Sequence, residues 1–459
     1  MAGSQETAAI NPSYVTDASG YKGWADELAV PSNEQELLEV INRARTDGIP
    51  LTVAGAGSGL TGARVAHGGV VVSLEKFRRL EIEQGRAFAG AAITLVELGK
   101  AAAPSGQFYA PDPTEWTASV GGVLACNASG SRSFRYGSAR GHVNAIRVAL
   151  MDGRVVEYRR GDKVDFDVPS IPLPATTKYT AGYRLEPGMD WIDLFVGSEG
   201  TLGIIVEAEL RLLPIPAEIF AGVVFFRSDS DTLDAVDAWH DVPELRMLEY
   251  ADRNSLDLLR GRYPEIPREA AACILIEAEG DDIEGWERRL TSAHALIDAS
   301  WFADNARDRE RFRAFRHSLP ELVNSTVLQR GFMKMGTDYA VPFSQNRAMI
   351  AYYRERLETQ LPGRYVIYGH IGDGHPHVNM LPSTKDEAEI ATGFLTEFAH
   401  KAVELGGTVS AEHGLGKRKA HLLTIQYAPE HIEAMKAVKR RLDPQWLLGR
   451  GTLFPVAAV

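Results

Sequence analysis

The sequence predicts an α+β protein built as two lobes, on three observations. Strand-like apolar runs alternate with helical periodicity along most of the chain. Two prolines in Leu212-Leu213-Pro214-Ile215-Pro216 interrupt that text near its middle, where a domain boundary is expected. Before that point the glycines, 43 in all, gather into clusters rather than spreading out. A length of 459 residues allows roughly three domains of ~150 residues, and two large ones fit equally well.

The elements follow in order. Ser32 to Thr46 reads as a helix, with Ser32 as N-cap, Gln35 completing a capping box, and Leu37, Leu38, Ile41 and Ala44 as its apolar face. Ile49 to Val53 and Val70 to Leu74 read as short buried strands. Thr94 to Ala103 is a helix capped by Thr94 and stopped by Pro104. Ala145 to Leu150 is a strand, and VEAELRLL leads as a strand into the prolines. Beyond them come a strand at Phe220 to Phe226, a helix at Ser230 to Trp239, a strand at Cys273 to Ala278 and a helix at Asp282 to Ser300. That β-α-β-α order suggests a split βαβ unit. A short strand is expected after Gly407, then a glycine loop and a helix from Pro429 to Arg441.

Composition excludes several functions. The net charge of −12 argues against a nucleic-acid binder, which needs a basic face, and against a polybasic membrane anchor. Two cysteines, Cys126 and Cys273, exclude a disulfide framework, a four-cysteine iron–sulfur cluster and a Cys-rich zinc module. The start, MAGSQETAAINPSYVTDASG, lacks the basic-then-apolar pattern of a secretory leader. No run approaches the ~18 apolar residues of a transmembrane segment. The expectation is a cytoplasmic protein, with attachment to a membrane through a partner left open.

Three glycine clusters precede residue 206. The first is Ala54-Gly55-Ala56-Gly57-Ser58-Gly59-Leu60-Thr61-Gly62. It follows a strand, as a dinucleotide fingerprint does, but what comes next is another strand rather than a good helix. Taken alone it is either a flexible turn or an anion nest of backbone N–H groups. The second runs from Pro111-Asp112-Pro113 through Thr117 to Gly130 and on to Arg135-Tyr136-Gly137. Small and hydroxyl residues dominate it, so a large flat ligand can lie against the backbone. The third is Phe195 to Ile205, containing Gly-Ser-Glu-Gly-Thr-Leu-Gly.

Together these segments resemble the FAD-binding domain of vanillyl-alcohol-oxidase-type flavoproteins. The likeness is to the FAD-linked D-2-hydroxy-acid dehydrogenase branch, which includes D-lactate and D-2-hydroxyglutarate dehydrogenases and the glycolate oxidase flavin subunit. The resemblance implies that fold for the first lobe, an α+β, ferredoxin-like cap for the second, and non-covalent FAD. It implies that Gly55, Ala56, Gly57, Ser58, Gly59 and Gly62 cradle the pyrophosphate. Pro111, Asp112, Thr117, Gly121, Gly122, Asn127, Ser129, Tyr136 and Gly137 would line the cofactor, with Glu199, Gly203, Ile204 and Ile205 at its far portion. The family often has Arg before the first glycines. Here Ala54 stands there, so charge neutralisation is expected from N–H groups alone.

Histidines concentrate at His370-Ile-Gly-Asp-Gly-His375-Pro-His377-Val-Asn379 and at Glu412-His413. His375 and His377 share a face if the stretch is extended. Imidazole and carboxylate without thiolate suit Zn²⁺, Mn²⁺ or Fe²⁺; the plainer alternative is histidines capping turns. The two stretches are similar to the family's H-x-G-D-G-N-x-H-x-N and E-H-G-x-G motifs. The resemblance implies His370, His377 and Glu412 as ligands of a divalent metal, Zn or Mn, His413 as general base and Asn379 as a substrate contact. His375 stands where the family usually has Asn. A spare ligand, a second base or a group that tunes His370 all remain open for it. The implied reaction oxidises a D-2-hydroxy acid, D-lactate-like or D-2-hydroxyglutarate-like, to the 2-oxo acid. The metal acidifies the hydroxyl, His413 takes its proton, and the Cα hydrogen leaves as hydride to flavin N5.

Arginines crowd 307 to 316 and mostly read as a solvated face. Arg316 is the exception, because Phe312-Arg-Ala-Phe-Arg316 resembles a family motif whose Arg forks onto the substrate carboxylate. Lys334 is a second carboxylate candidate. The stretch Leu442 to Gly451 resembles a C-terminal family motif with several replacements, and implies a return to the first lobe. The chain divides into an N-terminal arm (1–30), an FAD-binding domain (31–216), a substrate or cap domain (217–424) and that C-terminal segment (425–459). The partners implied are a small 2-hydroxy acid and an electron acceptor (quinone, cytochrome or electron-transfer flavoprotein). An alternative is the flavin subunit of a glycolate-oxidase-type complex, inactive alone. A transferase like the alkylglycerone-phosphate synthases is disfavoured, since those lack the Glu-His pair.

Overall fold

A computed structural model describes residues 10–455. The ends of the N-terminal arm and of the C-terminal segment, 1–9 and 456–459, lie outside the described residues.

The helix Glu34–Asp47 is capped by Asn33 rather than Ser32: the Asn33 side chain accepts from the Glu36 amide. Asn caps as well as Ser does, and the box closes from Glu36, whose Oε2 accepts the Ser32 amide at 2.7 Å. Leu37, Ile41 and Ala44 are fully buried against the strands Val70–Ser73 and Leu51–Ala54. With Glu27–Ala29 these form a parallel three-stranded sheet. The helix Leu95–Ala102 has the expected Thr94 N-cap, and the structure adds Glu97 as the partner that completes a capping box.

A five-stranded antiparallel sheet completes the first lobe, in the order Leu80–Glu83, Arg86–Gly90, Ile204–Arg211, Val143–Ala149, Val155–Arg159. Strand Ile204–Arg211 ends where the prolines begin, and Ile219–Phe226 opens a different, seven-stranded sheet. In that sheet Ala272–Glu279 lies antiparallel between Ile219–Phe226 and Leu245–Ala251. The outer two therefore run parallel, joined by the helix Asp229–Trp239, which is the split βαβ arrangement.

The sheet then extends beyond that unit through Tyr365–His370 and His375–Met380. The helix expected over Asp282 to Ser300 is shorter, Ile283–Ser292, because His294 turns left-handed at φ 56. Among the described residues no strand follows Gly407; Thr408 makes only an isolated bridge to Ala340, leaving 410–416 as irregular chain free to fold into the site. The C-terminal segment contacts the first lobe. Leu51 donates to the Leu447 carbonyl at 2.9 Å, and Gly449 donates to that of Leu51 at 2.8 Å. None of the helices among the described residues is long and apolar enough to cross a membrane.

Candidate active site

The first glycine cluster leaves the strand Leu51–Ala54 without forming a hydrogen-bonded turn. The amides of Gly57, Ser58, Gly59 and Leu60 find no acceptor among the described residues. Gly57 adopts φ 84, which an L side chain resists. These amides edge a cavity of about 620 Å³, within the size range of cofactor sites. The opposite wall is the helix Val120–Ala125. There a Cβ on Gly121 would stand 2.9 Å from that of Ala91, so only glycine lets the backbone come this near.

Twelve of the residues assigned to the cofactor from sequence stand in the wall: Gly55, Ala56, Gly57, Ser58, Gly59, Gly121, Gly122, Ser129, Glu199, Gly203, Ile204 and Ile205. The remaining seven do not reach it. Gly62 donates to Asp17 at 2.8 Å. Asp112 accepts from the Trp116 indole at 3.0 Å, and Pro113 rather than Pro111 borders the space. Thr117 is bonded to Glu115, and Asn127 accepts from the Arg140 amide. Tyr136 donates to Glu279 in the other lobe, and Gly137 ends its helix.

A cation does stand at the cavity, at a position the sequence did not suggest. Arg64 lines the cavity, donating to Gly55 O at 2.9 Å and to Ser13 O at 2.8 Å. Its Nε is buried without a partner.

Glu412 and His413 stand in the same wall. The strands Tyr365–His370 and His375–Met380 form a hairpin closed by the turn Ile371–Asp373 and left-handed Gly374. Register sets His370 directly opposite His375, and His377 follows on the same face. Glu412 Oε1 lies 3.3 Å from His370 Nε2, 3.5 Å from His377 Nε2 and 3.6 Å from His413 Nε2. One ligand atom each from His370, His375, His377 and Glu412 all fall within 4.8 Å of one another. This buried, thiolate-free donor set fits a divalent cation.

Outer partners hold the imidazoles in place. His370 Nδ1 meets Glu249 Oε1 at 2.6 Å, and His377 Nδ1 meets the Thr337 carbonyl at 3.0 Å, leaving each Nε2 facing Glu412. Asp338, fully buried, accepts from Ser410 Oγ at 2.8 Å and from the His413 amide at 3.0 Å. The same carboxylate lies 3.3 Å from His413 Nδ1. Burial would raise the pKa of Asp338, but His413 and His375 hold it well below the usual carboxylate range. Burial pushes His413 down to about 4 against the pull of Asp338, so near neutrality its imidazole is uncharged and able to accept a proton. Burial likewise opposes charge on His370, but Glu249 outweighs it and the pKa rises.

Arg316 is in the site, yet its donors are engaged: Nε bonds Glu249 at 2.7 Å and NH1 bonds Thr114 at 3.2 Å. Its NH2 faces His370 Nδ1 at 3.5 Å. Lys334 lies on an exposed run before Met335–Gly336 and bonds none of the cluster. Asn379 is buried, paired with Val366 and Gly336. Glu249, Asp338 and Lys178 were missed from sequence. Lys178, a lone charge in small-residue text, is the one that offered a signal by contrast.

Comparison with known proteins matches both lobes of the chain. Residues 25–159 match the FAD binding domain family, and residues 215–453 match the C-terminal domain of FAD linked oxidases. A D-lactate dehydrogenase of Archaeoglobus fulgidus is 30% identical, over 92% of this chain and 89% of its own. The glycolate oxidase subunit GlcD of Bacillus subtilis is 30% identical, over 95% and 90%. A D-2-hydroxyglutarate dehydrogenase of Xanthomonas citri is 27% identical, over 93% and 89%. An alkyldihydroxyacetonephosphate synthase shares the fold at a TM-score of 0.66 and 15% identity, over 92% of this chain and 76% of that one. The chain is thus an FAD-linked oxidoreductase that belongs to the FAD-linked oxidase family, among whose named members are dehydrogenases of D-2-hydroxy acids.

Proposed function

We propose that the protein oxidises a D-2-hydroxy acid to the 2-oxo acid, with FAD held non-covalently in the glycine-lined cavity and a divalent cation at His370, His377 and Glu412. The observation that carries this reading is that Glu412 and His413 border that cavity while Glu412 also meets the imidazole cluster. One face of the space thus offers a proton acceptor and metal ligands, and the other the cofactor cradle. The free amides of Gly57 to Leu60, together with Arg64, suit the pyrophosphate. When bound, FAD accepts the two electrons that leave with the Cα hydrogen, and the cation supplies Lewis acidity at the substrate oxygens.

The protein's own part is positioning and proton transfer. Asp338 orients His413 through Nδ1, so Nε2 takes the hydroxyl proton. Glu249 and the Thr337 carbonyl fix the ligand imidazoles. Anaerobic mixing with a panel of D- and L-2-hydroxy acids tests the reading: a D-acid should bleach the flavin's visible absorbance. If no acid on the panel does so, the reading is wrong. Similarity to GlcD supports a second reading, a flavin subunit of a glycolate-oxidase-type complex, which predicts FAD binding without dye-linked turnover in isolation.

A further inference from the structure

We propose that His375 is a fourth protein ligand, so that the cation is held by three imidazoles and one carboxylate. The inference rests on the metal reading above and concerns the residue that sets this chain apart from the motif it resembles. His375 is fully buried, and neither of its ring nitrogens makes a hydrogen bond. Its Nε2 lies 3.2 Å from Asp338 Oδ1, a contact with a carboxylate, and its Nδ1 has no partner of any kind. Polar atoms buried in this way are rare in folded proteins, and each such orphan calls for an explanation. A metal ion accepts such a lone pair without the directional demand of a hydrogen bond. The register delivers the ring to the right place: His375 is the direct strand partner of His370. Its ring centroid is 5.3 Å from that of His370 and 4.3 Å from that of His377, and its ligand atom is within 4.8 Å of the other three.

The other roles open to His375 fit less well. A second base must reach substrate, but His375 has no exposed surface and does not border the cavity. A group that only tunes His370 would be bonded to it, and it is not. Four protein ligands also leave two positions of a six-coordinate ion for the hydroxyl and carboxylate oxygens of a 2-hydroxy acid. Such a centre suits an ion that takes octahedral coordination, such as Mn²⁺, better than tetrahedral Zn²⁺.

The test uses full-length FAD-loaded protein, stripped of metal and titrated with Co²⁺ against a chromogenic chelator. His375→Asn, which installs the residue of the similar motif, should weaken Co²⁺ binding by more than about 100-fold, beyond the loss of an outer-shell partner, and should change the Co²⁺ visible bands. X-ray absorption on the Mn²⁺- or Zn²⁺-loaded wild type should count three imidazoles, a result that needs no variant to fold. Unchanged bands in His375→Asn, or two imidazoles at full occupancy, would overturn the fourth ligand while leaving the metal centre standing. Wild-type protein that takes up no Co²⁺ at all would overturn both.

Discussion

Arg64 offers the sharpest test of how the cofactor's charge is met. Its guanidinium borders the cavity, bonds the Gly55 and Ser13 carbonyls, and keeps a buried Nε without a partner. No carboxylate lies within ion-pair distance among the described residues, and burial lowers its pKa, partly offset by Asp17. The charge is therefore unspent in the protein alone and available to an anionic ligand. Removing one charge-assisted hydrogen bond costs about 1.5–3 kcal/mol, which converts to roughly a 10- to 150-fold rise in Kd. Arg64→Ala should weaken FAD binding by that factor, read as flavin fluorescence during titration of flavin-stripped protein. Riboflavin, which has no phosphate, separates charge from loop anchoring, because its affinity should change little. Arg64→Lys should recover part of the FAD loss, since the charge returns without the fork. Equal losses for FAD and riboflavin would refute the argument and reduce Arg64 to a brace for Gly55.

Two further outcomes are expected. His413→Ala should keep its bound flavin spectrum yet lose about 10²- to 10⁴-fold in turnover; a wild-type rate would remove the base assignment. Asp252 caps the helix Arg253–Leu259, and burial pushes it from 3.8 up to about 6. The folded state thus binds the proton more tightly than the unfolded chain. Its contribution to stability is complete below about pH 4 and is lost as pH rises through about 6, to a total of roughly 3 kcal/mol. Asn caps as well without ionising, so urea unfolding of Asp252→Asn should lack that loss between pH 4 and 7. The wild-type slope in the variant would show that Asp252 is not its source.

What was legible in the sequence is what local chemistry dictates. Thr94 announces an N-cap because a cap and the amides it serves lie within one turn. The glycines at 55 to 59 and 121 to 122 announce a close backbone approach, which Gly121 against Ala91 and left-handed Gly57 bear out. The hairpin histidines could be placed on one face because strand periodicity alone does so. Glu249, Asp338 and Arg64 escaped notice because their roles come from partners brought near by folding. His370 is 121 residues from Glu249, and His413 is 75 from Asp338. Even the glycine-cluster reading overreached by continuity. Asn127 and Tyr136 share the second cluster's text, but they face Arg140 and Glu279 instead of the cavity.

The charges buried at the lobe junction carry the metal argument one step further. Glu412 is held from the first lobe by Ser129 at 3.0 Å and by Lys178 at 3.5 Å, and Lys178 also meets Asp373 at 3.2 Å. Arg316 meets Glu249. Four carboxylates, Glu249, Asp338, Asp373 and Glu412, thus face two basic side chains in direct contact, Lys178 and Arg316. The imbalance is two negative charges, with Lys419 acting on Asp338 only at longer range. Uncompensated buried charge is costly, so the junction needs two protons on its imidazoles or one divalent cation. The protonated alternative draws on the same histidines that must offer lone pairs, and it threatens the neutral His413 that the reaction needs. The divalent cation proposed above would satisfy the carboxylates and leave that base free, and Glu412, gripped from both lobes, would tie its site to the cofactor cavity.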